Sequence, residues 1–488
     1  MTSSSLSLAR ALNYAKKGIA LPAIDLNLPS LSPSQAGCAI YVSNFTKLNF
    51  SNESLPSFMR ADDVIKDFSK KNKSFSFSNP IKSNLFDSTI APWFDNNNYS
   101  NKVLSGYWLA NIFVRGLDID ETFLLTQKLI GNNFFIPDSC LSIRRYPTGG
   151  ISEKQALILP PIILSLSSLF NWSSPFLIAE RLAHTGGTKD KLSILPGFQM
   201  PNVKEVLKWN GTKDPVRYFS AGNEFCPRDA SMYRVRSETG TVADYGLMAS
   251  SIMSKQIALP ADVNIIDILY GPYSFLTTKN EAEHFSGLCV NIGIRHNVDV
   301  IPRIRFSNAS NIRSIGLSTE LVEAAEILRA GSKSLSTSEI QTSFHFLRDF
   351  SAKIGLNDDL VIRKAEEAII SGKVFDDMLS LWKQHRVHSN FLKRFSKDPK
   401  HTLLDGLPVC KVFATKSGEI NFDIKSVSDI ANNFINQPDR FDGSPLPGGI
   451  ELCVQPGDLI QVGDLIANIY TYNGKSVSRR FRDTISYN

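Results

Sequence analysis

No apolar run in this 488-residue chain reaches the roughly 18 residues that a membrane-crossing helix needs, so no bilayer span is expected. The longest candidate, residues 156–166, contains Pro160 and Pro161 and reads as a buried helix or strand. Cysteine is scarce: six residues stand singly with no CxxC pair. That spacing argues against a zinc centre or a disulfide framework and suits a reducing, cytoplasmic setting. The seven histidines form no HxxxH or HExxH pattern, and GxSxG, Walker and GxGxxG strings are missing as well. Neither a metal nor a bound cofactor is therefore expected. The net charge of +6 is modest and dispersed, so nucleic acid is not an expected partner.

What remains is the composition of an ordinary globular protein, 42% apolar and 20% charged, long enough for two or three domains. Residues 1–24 are Ser-rich and basic, a composition that overlaps a transit peptide, though a frayed start or short helix fits equally simple physics. Residues 1–57 read as an irregular extension with a short strand at Cys38–Val42, and polar residues 70–101 read as loop. Helical spacing begins at Lys102 and resumes from Asp120, whose acidic start complements a helix dipole. Residues 133–200 alternate apolar runs with glycine turns in the rhythm of βα units, and 228–256 return to helical spacing. Val263–Ile268 reads as a buried strand, and 320–329 and 360–371 as helices. His385 and His388 sit in a basic polar segment and are expected at the surface, while 456–471 reads as a small β hairpin.

One string stands out: HTGGTKDKLSILPGF at 184–198, preceded by another Thr-Gly-Gly at 148–150. Paired glycines turn tightly and bring backbone N–H groups close to a ligand, and threonine hydroxyls add donors, a combination suited to an anion. Together with YRVRSETGTVADYGLMASSIMSKQ at 233–256, these strings resemble the thymidine and pyrimidine-nucleoside phosphorylases in order and spacing. Looser matches follow at 265–275, 320–331, 366–379 and 448–471, so the resemblance covers about residues 58–472. It implies an α/β fold of nucleoside-phosphorylase type: a helical lobe, a larger mixed α/β lobe and a C-terminal β-rich subdomain. The helical base-binding lobe is expected from 58–132 and 228–256, the phosphate-type lobe from 133–227 and 257–404, and the subdomain from 405–488.

The resemblance also implies a chemistry. Such enzymes cleave the N-glycosidic bond of a pyrimidine nucleoside with inorganic phosphate, as two-lobed dimers whose closure brings phosphate to C1′. The base-binding positions carry over to Tyr233, Arg236, Ser251 and Lys255, with Arg236 and Lys255 also catalytic by stabilising the leaving base. Ser251 and Lys255 share one helix face at i, i+4, and Arg236 offers a fork of donors to carbonyl oxygens. On the phosphate side, Arg145, Thr148 and Thr188 carry over, with Tyr146 in the place of the catalytic histidine.

That phosphate side departs from the family pattern. Lys-His-Ser-Thr-Gly-Gly becomes Arg145-Tyr146-Pro147-Thr148-Gly149-Gly150, in which Pro147 removes both a hydroxyl and an N–H. Tyrosine, with an unperturbed pKa near 10, is a poor proton shuttle at neutral pH. Ala156 and Ile178 stand at two serine positions, and Leu269-Tyr270-Gly271-Pro272-Tyr273 replaces Lys-Val-Gly-Ser-Gly. At about 1.5–3 kcal/mol for each hydrogen bond to a charge, losing three weakens phosphate binding by orders of magnitude unless Lys154 or Arg181 compensates. Two functions are thus expected from the sequence: a pentosyltransferase acting on a pyrimidine nucleoside or nucleotide, with phosphate as co-substrate, or an inactive or repurposed nucleoside-binding protein on the same scaffold.

Overall fold

The protein is described by a computed structural model covering residues 3–17, 24–26, 31–44, 48–50, 55–71, 90–95, 98–131, 140–180, 186–222, 225–307, 312–436, 446–472 and 474–487. It divides into two compact units, Met1–Phe134 with Gly222–Leu259 and Gly287–Asn297, and Phe135–Ala221 with Pro260–Ser286 and Val298–Asn488. The first is helical, apart from a short parallel pairing of Ile24–Leu26 with Leu48–Phe50. The second is mixed α/β with a β-rich C-terminal part. Among the described residues no helix is long and apolar enough to cross a membrane.

The described residues of the first 57 include regular elements. Helices run from Ser3–Lys16 and Pro33–Ser43, and the expected strand at Cys38–Val42 lies inside the second of these. A capping box starts that helix: Ser32 accepts from the Gln35 N–H while the Gln35 side chain accepts from the Ser32 N–H. Its middle is buried all round, so no polar face betrays the helical period. Gly37 marks a crossing and not a turn. A Cβ on Gly37 would stand 2.0 Å from the Val103 carbonyl oxygen, and one on Gly106 would stand 1.9 Å from that of Ser34. The Pro33–Ser43 and Tyr99–Arg115 helices therefore touch backbone to backbone. Within the expected 70–101 loop, Ala91–Asp95 is helical and 72–89 lie outside the described residues.

The second unit is built on five parallel strands in the order Val216–Ser220, Trp172–Ile178, Leu141–Pro147, Val263–Tyr270, Val300–Phe306. Trp172–Ile178 is buried at every position, as expected of a strand covered on both faces. The Gln155–Phe170 helix carries Pro160 and Pro161 inside it. Proline at 160 cannot bond back to the carbonyl of residue 156. The buried Tyr218 hydroxyl donates to that Ala156 oxygen at 3.0 Å, which keeps the interruption satisfied.

His385 overturns its expected exposure: it is 1% accessible, whereas His388 is exposed. The His385 Nδ1 pairs with the Gln199 carbonyl at 3.0 Å, Nε2 accepts from the Tyr218 N–H at 3.1 Å, and the ring stacks on Phe198. Charge patterning misses this because the ring is neutral inside, its pKa pushed down to about 4 by burial. The hairpin at 456–471 is also absent. Leu459–Ile460 pairs with Gly418–Phe422, whereas Leu465–Tyr470 lies between Gly449–Leu452 and Val409–Phe413 in a different sheet. The turn signal is local, but which strand each segment joins is decided by the core it buries.

Two stability predictions follow from these contacts. Gly37→Ala or Gly106→Ala should lose at least about 2 kcal/mol in urea unfolding, because backbone, not a movable side chain, meets the new methyl. Lowering pH from 6.5 to 4 should destabilise the protein by about 3 kcal/mol through His385, since the unfolded chain takes up the proton first. A His385→Gln variant should show a correspondingly smaller loss over that window; an identical pH profile would refute the assignment.

Candidate functional site

In the helical unit, the Pro227–Thr239 helix begins with proline at its first position and ends at Gly240, left-handed with φ 75°. A four-residue connection leads to Asp244, whose side chain accepts from the Leu247 N–H and starts the Tyr245–Ala258 helix. These two helices carry all four residues expected to bind the base. Lys255 reaches back one turn to donate to the Ser251 carbonyl at 2.7 Å and the Ser251 hydroxyl at 3.0 Å. Its third partner is Asp229, with which it forms a buried ion pair. Arg236 is 1% exposed and donates from Nη1 to the Leu247 carbonyl at 3.2 Å and from Nη2 to that of Val242 at 2.7 Å. Burial pulls its pKa down, and the charges of Asp229, Tyr233 and Asp244 pull it back. Tyr233 is half-buried one turn earlier.

Asp229 is the residue that sequence reasoning missed. An acidic side chain in a first helical turn is ordinarily a response to the helix dipole, and that reading hides a buried ion-pair partner. The same unit supplies a further buttress from the N-terminal segment. Ser34 donates to Glu238, Gln35 donates to the Glu238 carbonyl at 3.1 Å, and Lys16 pairs with Asp244 at 3.2 Å. Burial pushes the neighbouring Cys226 thiol up to about 11, which leaves it uncharged near neutrality.

In the α/β unit two of the three residues expected to hold phosphate, Arg145 and Thr148, make hydrogen bonds within the protein. Arg145 is fully buried; its Nε donates to Asp267 at 3.0 Å, and its Nη2 donates to Glu153 at 2.9 Å and also to Asp267. Nη1 alone lacks an acceptor among the described residues. Arg305 closes on Asp267 from the adjacent strand on the other side, with two bonds of 2.7 Å, and both guanidiniums lie over the Phe346 ring. Burial by itself raises the Asp267 pKa, but Arg305 and Arg145 outweigh it and hold the carboxyl at about 2. Lys191 pairs with Glu320 at 2.7 Å, and Lys154, a candidate for replacement charge, pairs with Glu323 at 3.2 Å. Three buried cations, Arg145, Lys191 and Lys154, and the half-buried Arg305 thus face Asp267, Glu153, Glu320 and Glu323.

The Thr148 hydroxyl accepts from the Leu269 N–H at 3.0 Å, fastening the Gly149 turn to the adjacent strand. Tyr146 is 7% exposed on the strand next to Arg145. Ala156 and Ile178 belong to the hydrophobic core, so apolar packing occupies the positions where the resemblance places serines. Thr188 is half-buried at the start of the Thr188–Ser193 helix. His184, Thr185 and Arg181 lie outside the described residues.

With this geometry in place, the comparisons can be read. No protein-family model matches the chain. It is 25% identical to the pyrimidine-nucleoside phosphorylase of Bacillus subtilis over 364 residues, 74% of this chain and 82% of that protein. It is 29% identical to the thymidine phosphorylase of Mycobacterium tuberculosis over 226 residues, and 30% identical to the pyrimidine-nucleoside phosphorylase of Staphylococcus aureus over 229. Of the latter two it spans about half the length, 52% each. The chain is thus similar to thymidine and pyrimidine-nucleoside phosphorylases. Among solved structures, anthranilate phosphoribosyltransferase from Thermus thermophilus aligns with a TM-score of 0.44 at 13% identity, over 61% of this chain and 94% of its own.

The most sensitive point of the α/β unit is Asp267, which pairs with two guanidiniums. Asp267→Asn should destabilise the protein by about 3 kcal/mol in urea unfolding, because the buried Arg145 and half-buried Arg305 guanidiniums lose their shared counter-charge. Its contribution is present above the unfolded carboxylate pKa near 4 and is lost as pH falls toward 2. A variant as stable as the parent would show that the network carries no such energy.

Proposed function

We propose that this chain binds a pyrimidine nucleoside or nucleotide on the helices carrying Tyr233, Arg236, Ser251 and Lys255, and that phosphorolysis is not its main activity. The observation that carries this reading is the engagement of Arg145, whose guanidinium is bound by Asp267 and Glu153 inside the sheet. A phosphate dianion needs surplus positive charge or free donors. Here only the buried Nη1 of Arg145 lacks an acceptor among the described residues, and any further donor would have to be drawn from two carboxylates in a medium where leaving them unpaired costs several kcal/mol. On the base side, the cations, hydroxyl and aromatic ring lie on two adjoining helices. A dimer acting on its ligand in the cytoplasm, as the resemblance implies, belongs to the same reading.

The second reading is pentosyl transfer, with cleavage of the N-glycosidic bond. It is favoured by the grouping of Arg236 and Lys255 around Asp229, which keeps two cations where a leaving base anion would need them. Calorimetry with thymidine and uridine, with and without inorganic phosphate, separates the two. Nucleoside binding with unchanged affinity on adding phosphate, and no released base after prolonged incubation, are the expected results. Efficient release of thymine or uracil that depends on phosphate would overturn the first reading and establish the second.

A further inference from the structure

The dispersed charge expected from the sequence has one exception in the α/β unit. Residues 383–401 carry six lysines and arginines against a single aspartate, in a chain whose net charge is only +6. The segment runs from the end of the Lys373–Gln384 helix through Arg386 and His388 into the Ser389–Lys397 helix. That second helix buries Phe391, Leu392 and Phe395. The Phe395 ring packs against Trp382 at 5.2 Å and against Phe391 at 5.7 Å, which holds the helix on the core. At about 100° per residue, Lys393, Arg394 and Lys397 fall on its opposite side, and all three are exposed.

Most of this charge is not neutralised within the protein. Arg386 pairs with Glu205 and Lys400 with Glu451, both at 2.8 Å. Lys383, Lys393, Arg394 and Lys397 form no ion pair among the described residues. Asp398, the one acid of the segment, accepts from the His401 N–H at 2.9 Å and so starts the next helix. Helix dipoles favour Lys383, Arg394 and Lys397, which stand in last turns, but not Lys393 or the want of carboxylates in the segment.

What lies between the cations selects the partner. Every apolar residue of 383–398, namely Val387, Phe391, Leu392 and Phe395, is buried, so the exposed side is polar throughout. A stable protein interface is anchored on exposed aromatic or apolar groups, and a membrane-surface helix inserts an apolar face. Single-stranded nucleic acid is held by rings on which its bases stack. Double-stranded nucleic acid needs none of these, because its phosphates exchange condensed counterions for Lys and Arg alone. Lys393 and Lys397, one turn apart with Cβ atoms about 5–6 Å from each other, present a rigid row of charge to such a backbone.

We propose that the exposed side of the Ser389–Lys397 helix, with Lys383 at the end of the preceding helix, docks the phosphate backbone of a double-stranded nucleic acid without reading its sequence. The proposal is independent of the nucleoside-binding reading, whose residues lie in the helical unit.

The test is fluorescence anisotropy of the full chain with two labelled DNA duplexes of unrelated sequence. Both should bind alike, with a Kd of roughly 1–100 μM near physiological salt. Raising salt from about 50 to about 200 mM should weaken binding by at least about thirtyfold, as three or four phosphate contacts require. The triple variant Lys393→Gln, Arg394→Gln, Lys397→Gln should bind at least tenfold more weakly and lose most of that salt dependence. Its matched control, Arg479→Gln, Arg480→Gln, Arg482→Gln, removes the same charge from exposed positions of the Gly474–Arg482 helix and should bind like the parent. Equal weakening by both variants would overturn the proposal, as that would report net charge and not this surface. Tighter binding to phosphatidylserine vesicles or to polyglutamate than to the duplexes would overturn it in favour of a membrane or an acidic protein. Salt-independent binding, or none at about 50 mM salt, would overturn it with the parent protein alone, and so decides the matter if a variant fails to fold.

Discussion

Asp267 holds the α/β unit together by lying between two guanidiniums in the middle of a parallel sheet. Arg145 comes from the neighbouring strand and Arg305 from the strand on the other side, so one carboxylate ties three consecutive strands. A buried charge is tolerable only when paired and hydrogen-bonded, and here each member supplies what the next requires. Glu153 takes a further Arg145 donor, its carbonyl takes Lys191, and Lys191 reaches Glu320 on a separate helix. Charge balance is thereby reached inside the protein. That balance is what leaves Arg145 engaged within the sheet, and it is why the α/β unit reads as scaffold more readily than as a phosphate cradle.

The helical unit solves the same problem with a smaller set. Asp229 meets Lys255, Lys255 meets Ser251, and Arg236 caps carbonyls of the following connection. The N-terminal segment takes part in this arrangement. Its Pro33–Ser43 helix crosses the Tyr99–Arg115 helix at two glycines, and Ser34 and Gln35 fasten Glu238 near the end of the helix that carries Arg236. A segment that looks like an addition in sequence is part of the packing that sets the base-side residues.

Much of the fold was legible in local pattern. The buried strand Val263–Tyr270 showed itself in Val263–Ile268, and the acidic start at Asp120 announced the Ile119–Leu129 helix. The pattern failed where burial is complete or partners are remote. Cys38–Val42 lies on no polar boundary and so showed no helical period. His385 sits among charged neighbours in sequence but between Phe198 and Tyr218 in space. Leu459–Ile460 and Leu465–Tyr470 look like the two arms of one hairpin, yet each serves a different sheet. For the site, the i, i+4 relation of Ser251 and Lys255 was visible, while the role of Asp229, twenty-six residues from Lys255, was not.

By itself, the sequence determined the scaffold, because glycine turns, helix starts and apolar periods are local consequences of backbone geometry and can be read a few residues at a time. It also determined which chemical groups are present, including the arginine, tyrosine and proline that replace a lysine, a histidine and a serine at 145–147. Only the tertiary structure decided what those groups do. Whether an arginine faces a ligand or a carboxylate depends on which side chains other strands bring within about 3 Å, since a hydrogen bond fades steeply beyond that distance. Arg145 meets Asp267 and Glu153. That meeting could not be read from the residues at 145–147 alone.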